Sequence, residues 1–142
     1  MDIVNILRDK ILNSVNQLVD ERNLKQPINM NNIVVERPKK QHQGDYSTNA
    51  AMVIGKALSS NPRDLGEIIS LRLRDSELIS NISIDGPGFL NITISPKAWD
   101  RLIYEINSSN NQYGKVCFGD GKKVNLEYVS ANPTGPLHLG HV

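Results

Sequence analysis

A hairpin framed by two helix starts limits most strongly what this chain can fold into. Ile82-Ser83-Ile84 alternates, Gly86-Pro87-Gly88 turns the chain, and beyond it Leu90, Ile92 and Ile94 fall on one face while Phe89, Asn91 and Thr93 fall on the other. Asn61-Pro62 and Ser95-Pro96, on either side, each put a capping side chain ahead of a proline that suits the first helical position. Leu65, Ile68, Ile69 and Leu73 give the first of these helices an apolar face, and Trp99, Leu102, Ile103 and Ile106 do so for the second. Helices and an antiparallel hairpin within so short a stretch predict an α+β domain.

The amino-terminal half extends the pattern. Ile3, Ile6, Leu7, Ile11, Val15, Leu18 and Val19 recur at helical spacing, and Ala50, Ala51, Val53, Ile54, Ala57 and Leu58 predict a further helix over residues 48–58. Ile33-Val34-Val35-Glu36 reads as a short strand ending before Pro38, with Asp45-Tyr46-Ser47 as its expected partner. The predicted fold is two-layered, with helices packed on a small, mostly antiparallel sheet over residues 1–112. The stretch from Asn110 to Gly121 carries Asn, Gly and Asp around scattered apolar residues, and residues 113–121 within it are the expected linker. Residues 122–142 open a second domain with the strand Lys122-Lys123-Val124-Asn125-Leu126-Glu127-Tyr128-Val129.

Composition excludes several function classes. Lys+Arg 16 against Asp+Glu 15 gives a net charge of +1, so any nucleic-acid surface must be local. Arg37, Lys39 and Lys40 form the one basic cluster, read either as a solvated loop or as phosphate contacts. Cys117 is the only cysteine, which rules out an internal disulfide and a CxxC metal site and fits a reducing compartment. The sequence shows neither a signal-peptide pattern nor an apolar run of membrane-spanning length, so a cytoplasmic protein without a membrane partner is expected.

Strand 122–129 leads into Ser130-Ala131-Asn132-Pro133-Thr134-Gly135-Pro136-Leu137-His138-Leu139-Gly140-His141. A strand, a Pro/Gly-rich loop and two histidines at a helix start form a candidate nucleotide-phosphate site, because helix N-termini offer free amides and a positive dipole to anions. His138 and His141 would share a face of the first turn, and Gly140 would let a base or ribose approach the backbone. Spacing alone leaves a chance pair, a metal pair or structural hydrogen-bonding open.

The His138-Leu139-Gly140-His141 quartet resembles the HxGH signature of class I aminoacyl-tRNA synthetases, which nucleotidyltransferases of the same superfamily share. The longer run Glu127 to His141 is similar to the signature region of bacterial arginyl-tRNA synthetases. Gly44-Asp45-Tyr46-Ser47-Thr48-Asn49-Ala50-Ala51 and Gly86-Pro87-Gly88-Phe89-Leu90-Asn91 resemble that family's amino-terminal additional domain, so the likeness spans nearly the whole chain. It implies the amino-terminal part of an enzyme that activates arginine with ATP and transfers it to its tRNA. Residues 122–142 would then begin a Rossmann catalytic domain whose remainder is absent, and the fragment is expected to be inactive alone.

The same resemblance implies roles for particular residues. His138 and His141 are the expected catalytic pair on the ATP phosphates, and Gly140 lies against the adenosine. Glu127, Ser130 and Asn132 match arginine-binding positions, with the Glu127 carboxylate facing the guanidinium. Expected partners are arginine tRNA, arginine, and ATP with Mg2+; none is expected bound in the fragment, no metal site of its own is foreseen, and a monomer is expected.

Alternation turns Phe89 and Asn91 away from the core face, side by side toward solvent. A ring and an amide so placed can stack on an unpaired base and bond its edge, or Phe89 can pack beneath the turn. The resemblance favours the first reading, because these positions belong to the domain that reads a base of the tRNA D-loop, commonly an adenosine. Gly44, Asp45 and Tyr46 are assigned to the fold. Two other classes remain as alternatives: a non-enzymatic RNA-binding module, and a nucleotidyltransferase that uses the histidines without the hairpin.

Overall fold

The computed structural model describes residues 2–22, 28–38, 43–115, 119, 121–127 and 135–136. The chain divides into two compact units, Met1–Asn110 and Asn111–Val142.

In the first unit, α1 (Ile3–Glu21) starts where the Asp2 carboxylate accepts the amide of Asn5 at 3.0 Å, and it buries Ile3, Leu7, Ile11, Val15 and Leu18 along one stripe. β1 (Val35–Glu36) and β2 (Tyr46–Thr48) pair antiparallel, as expected of the two runs. Thr48, predicted to open the next helix, closes β2 instead. It is fully buried and its hydroxyl accepts the amide of Ala50, where α2 (Ala50–Leu58) begins.

α2 ends at Ser59 in a left-handed conformation, φ 49°, and α3 (Pro62–Leu73) restarts at once. The Asn61 side chain accepts the Arg63 amide at 3.0 Å, and Pro62 takes the first turn. β3 (Ile79–Asp85) and β4 (Phe89–Ile94) form the predicted hairpin, and α4 (Pro96–Ser109) follows from the Ser95 cap. The strand order is β1-β2-β4-β3, antiparallel throughout. α1, α2 and α3 share one core with Tyr46, Ile82, Leu90, Ile92 and Ile94, so the helices cover one face of the sheet.

Two devices hold the β1–β2 corner. Gly44 has φ +84°, and a Cβ there would stand 2.8 Å from the Ile92 carbonyl oxygen, so only glycine lets this strand approach β4. Asp45 then lengthens the ladder: its amide donates to Ile92 O at 2.9 Å and its carboxylate accepts from Ile94 N at 2.7 Å. The Asn49 amide latches the incoming loop, accepting from Val34 N at 2.9 Å and donating to Asn32 O at 3.0 Å. Asn49→Ala removes both bonds, and because the freed backbone groups are near solvent the loss is held to about 1–2 kcal/mol of unfolding free energy. Urea denaturation checks it; an unchanged midpoint would show that the latch contributes nothing.

Two sequence patterns are only partly realised. The α4 stripe of Trp99, Leu102, Ile103 and Ile106 is not a buried face: Ala98 alone is buried, Trp99 and Leu102 are half-buried, and Ile103 and Ile106 are exposed. The helix meets the core only through its first turns, by Ala98 with Trp99 and Leu102 packed beside it. In the second unit, residues 122–127, expected to begin a strand, form none and are exposed. A strand needs a partner for its amides and carbonyls, and no partner exists for these residues among the described ones. Tyr128 and Val129 lie outside the described residues.

Candidate nucleic-acid interface

The sheet face away from the helices carries polar side chains in register. Glu36 on β1 stands opposite Ser47 on β2, Ser47 opposite Asn91 on β4, and Asn91 opposite Ser83 on β3. Strand alternation forces this row: Tyr46, Thr48, Leu90 and Ile92 turn to the core, so the residues between them turn outward.

Over part of this face lies a hollow of about 420 Å³, lined by Glu36, Arg37, Gln43, Ser47, Phe89 and Asn91 together with the hairpin turn. Its size lies within the usual range for small-ligand sites. Phe89 is 38% exposed, as alternation predicts, whereas Asn91 is only 5% exposed and does not stand free in solvent. Asn91 sits inside a walled depression, which Glu36, Arg37, Pro38 and Gln43 line on the β1–β2 side and the hairpin turn lines on the other.

The wall is tied down. Gln43 Nε2 donates to the Asp85 carboxylate at 2.5 Å, and the other Asp85 oxygen accepts the Gly86 amide at 2.8 Å. Arg63, at the start of α3, donates to the Gly86 carbonyl at 2.6 Å. Gly88, at φ +135°, lets the turn close on Pro62, where a Cβ would come within 2.9 Å of the proline ring. The hairpin tip is thus fixed both to the helical layer and to the segment entering β2.

The Asn91 amide has no hydrogen bond to another described residue, yet it is not sealed in: Ser14 Oγ is the one fully enclosed side-chain polar atom left without a partner among the described residues. A buried residue whose polar atoms stay open to a hollow and unpaired can bond an entering ligand at little desolvation cost. Beside it, Phe89 offers a ring face for stacking, and Arg37 places one cation at the rim.

The structure gathers some of the expected residues and not others. Phe89, Asn91 and Arg37 come together; Lys39 and Lys40 lie outside the described residues. Gly44, Asp45 and Tyr46 serve the fold. Glu127 is exposed in the second unit, without regular structure, and Ser130, Asn132, His138, Gly140 and His141 lie outside the described residues. Ser47, Glu36 and Gln43 line the hollow without having been singled out in the sequence. The alternation Tyr46-Ser47-Thr48 was the signal for Ser47, once its register with Asn91 is known. Among the described residues no group of three or more His, Cys, Asp or Glu could hold a metal ion, and no helix is long and apolar enough to cross a membrane.

Residues 5–94 match the family model described as the arginyl tRNA synthetase N terminal domain. The arginine–tRNA ligase of Nitrobacter hamburgensis is 46% identical over 124 residues, covering 87% of this chain and 21% of the relative. That of Roseobacter denitrificans is 41% identical over 141 residues, covering 99% and 24%, and that of a Jannaschia species 42% over 135 residues, covering 95% and 24%. The chain thus spans about a fifth to a quarter of the length of the curated relatives it matches. Both motifs of the first domain, Gly44–Ala51 and Gly86–Asn91, fall inside the matched span, and the chain belongs to the arginyl-tRNA synthetase N-terminal domain family.

Proposed function

We propose that this chain is the tRNA-recognising amino-terminal part of an arginine–tRNA ligase, and that its hollow takes one unpaired base of the tRNA D-loop, an adenosine. The observation that carries this reading is the buried, unpaired Asn91 amide beside the half-open Phe89 ring in a hollow whose edge is held by hydrogen bonds. An asparagine amide offers a donor and an acceptor at the spacing of an adenine edge, and the ring supplies the stacking that single-stranded bases use.

The longer protein joins arginine to ATP, supplied with its Mg2+ ion, and passes the arginyl group to the tRNA. Residues 122–142 contribute the first strand and phosphate loop of its Rossmann domain. There His138 and His141 stabilise charge on the phosphates and Gly140 lies against the adenosine, while Glu127, Ser130 and Asn132 hold arginine. Sequence likeness supports these roles. The protein acts as a cytoplasmic monomer, and the 142-residue chain alone does not catalyse arginine-dependent ATP–pyrophosphate exchange, because residues 122–127 form no strand and a parallel nucleotide-binding sheet needs several.

Binding of this chain to arginine tRNA, and to the same tRNA made abasic at the D-loop adenosine, tests the recognition role at fixed salt. Affinity falls on removal of the base; equal affinities would refute the reading. Arg37 acts on phosphate instead. Arg37→Ala weakens binding to both tRNAs alike and lowers the salt slope by about 1, whereas a loss confined to one tRNA would exclude a phosphate contact.

A further inference from the structure

Ser47 stands directly opposite Asn91 on the neighbouring strand, and both line the same hollow. Directly opposed residues of an antiparallel pair hold their Cβ atoms about 4.5–5.5 Å apart, so the two side chains can address one planar ligand together. Ser47 is 8% exposed, and its hydroxyl makes no hydrogen bond to another described residue. Like the Asn91 amide, it is nevertheless absent from the fully enclosed, unsatisfied atoms, of which Ser14 Oγ is the example. Ser83 flanks Asn91 on the other side, but it is exposed and does not line the hollow. The hollow is therefore one-sided, and Ser47 is the polar group next to the amide on the closed side.

We propose that Ser47 is a second base-reading residue, whose hydroxyl bonds the same unpaired base that Phe89 stacks and Asn91 addresses. This rests on the base-recognition reading above. The chemistry of the pair is complementary. The amide fixes one donor and one acceptor in a plane, while a hydroxyl rotates to donate or accept and takes a further ring nitrogen or exocyclic group of the base. Two unpaired groups on adjacent strands also fix the base in its plane, which one amide alone does not. A base lacking the matching atoms leaves both groups buried and unpaired, and that is where discrimination arises.

The test measures binding of the wild-type chain, Ser47→Ala, Ser47→Thr and Ser47→Val to arginine tRNA with the D-loop adenosine present or abasic, at one salt concentration. Ser47→Ala is expected to weaken binding about three- to tenfold on the intact tRNA, the usual worth of one neutral hydrogen bond, and to change nothing on the abasic tRNA. Thr and Val have nearly the same shape and both suit a strand, so Ser47→Thr binding more tightly than Ser47→Val isolates the hydroxyl even if the alanine variant folds poorly. Equal losses on both tRNAs, or Thr and Val variants of equal affinity, would overturn the role of Ser47. Base-dependent binding that ignores Ser47 removes this inference alone, whereas wild-type binding indifferent to the base removes the reading beneath it.

Discussion

Phe89→Ala weakens binding of arginine tRNA to this chain by about 1–3 kcal/mol, the cost of losing one base-stacking platform. Asn91→Ala adds a further loss of about 1–3 kcal/mol, the worth of a two-point contact to a base edge. Neither variant should unfold the domain, for different reasons. Phe89 is 38% exposed at the start of β4, so its truncation opens little of the core. Asn91 is buried, but its amide has no hydrogen-bond partner among the described residues, so alanine orphans no group among them. Fluorescence or filter-binding titration, paired with thermal unfolding, separates the two effects. Binding losses that merely track a fall in the unfolding midpoint would mean that these side chains hold the sheet and do not read RNA.

Ile92→Ala has the opposite profile. Ile92 is fully buried on the central strand, opposite Tyr46 on one side and Ile82 on the other, and its carbonyl receives the Asp45 amide. Removing its branched side chain leaves a cavity between the sheet and the helical layer that neighbours held in register cannot close, at a cost of about 2–5 kcal/mol. That is a large share of the roughly 5–15 kcal/mol by which a domain of ordinary size is stable. Chemical denaturation measures it. Below the new transition the variant still discriminates the intact from the abasic tRNA, because Ile92 points to the core and not to the hollow; a loss under about 1 kcal/mol would contradict the packing described.

What was legible in the sequence followed local rules. Asn61-Pro62 and Ser95-Pro96 start α3 and α4 because capping and a fixed proline φ act over a few residues. Gly86-Pro87-Gly88 sets the hairpin, and alternation along β4 puts Phe89 on the outer face. What was not legible depended on distant neighbours. Asn91 is buried in a hollow that Glu36, Arg37, Pro38 and Gln43 also line, the place of Ser47 comes from its register with β4, and Ile103 and Ile106 lie on the part of α4 that does not meet the core. Thr48 looked helical because it precedes an alanine-rich run, but pairing with Leu90 draws it into β2. Residues 122–127 carry a strand-like pattern whose hydrogen-bonding partners are not among the described residues, and a pattern without a partner makes no sheet.

The central claim is that one base of the tRNA enters the hollow and meets Phe89 and Asn91. A two-by-two cycle tests it most directly: the wild-type chain and Phe89→Ala/Asn91→Ala, each titrated with arginine tRNA bearing the D-loop adenosine and with its abasic counterpart, at fixed salt. The account predicts that either change alone lowers affinity and that making both costs little more than making one. Losses that simply add, or binding that ignores both changes, would place the base elsewhere and contradict the account.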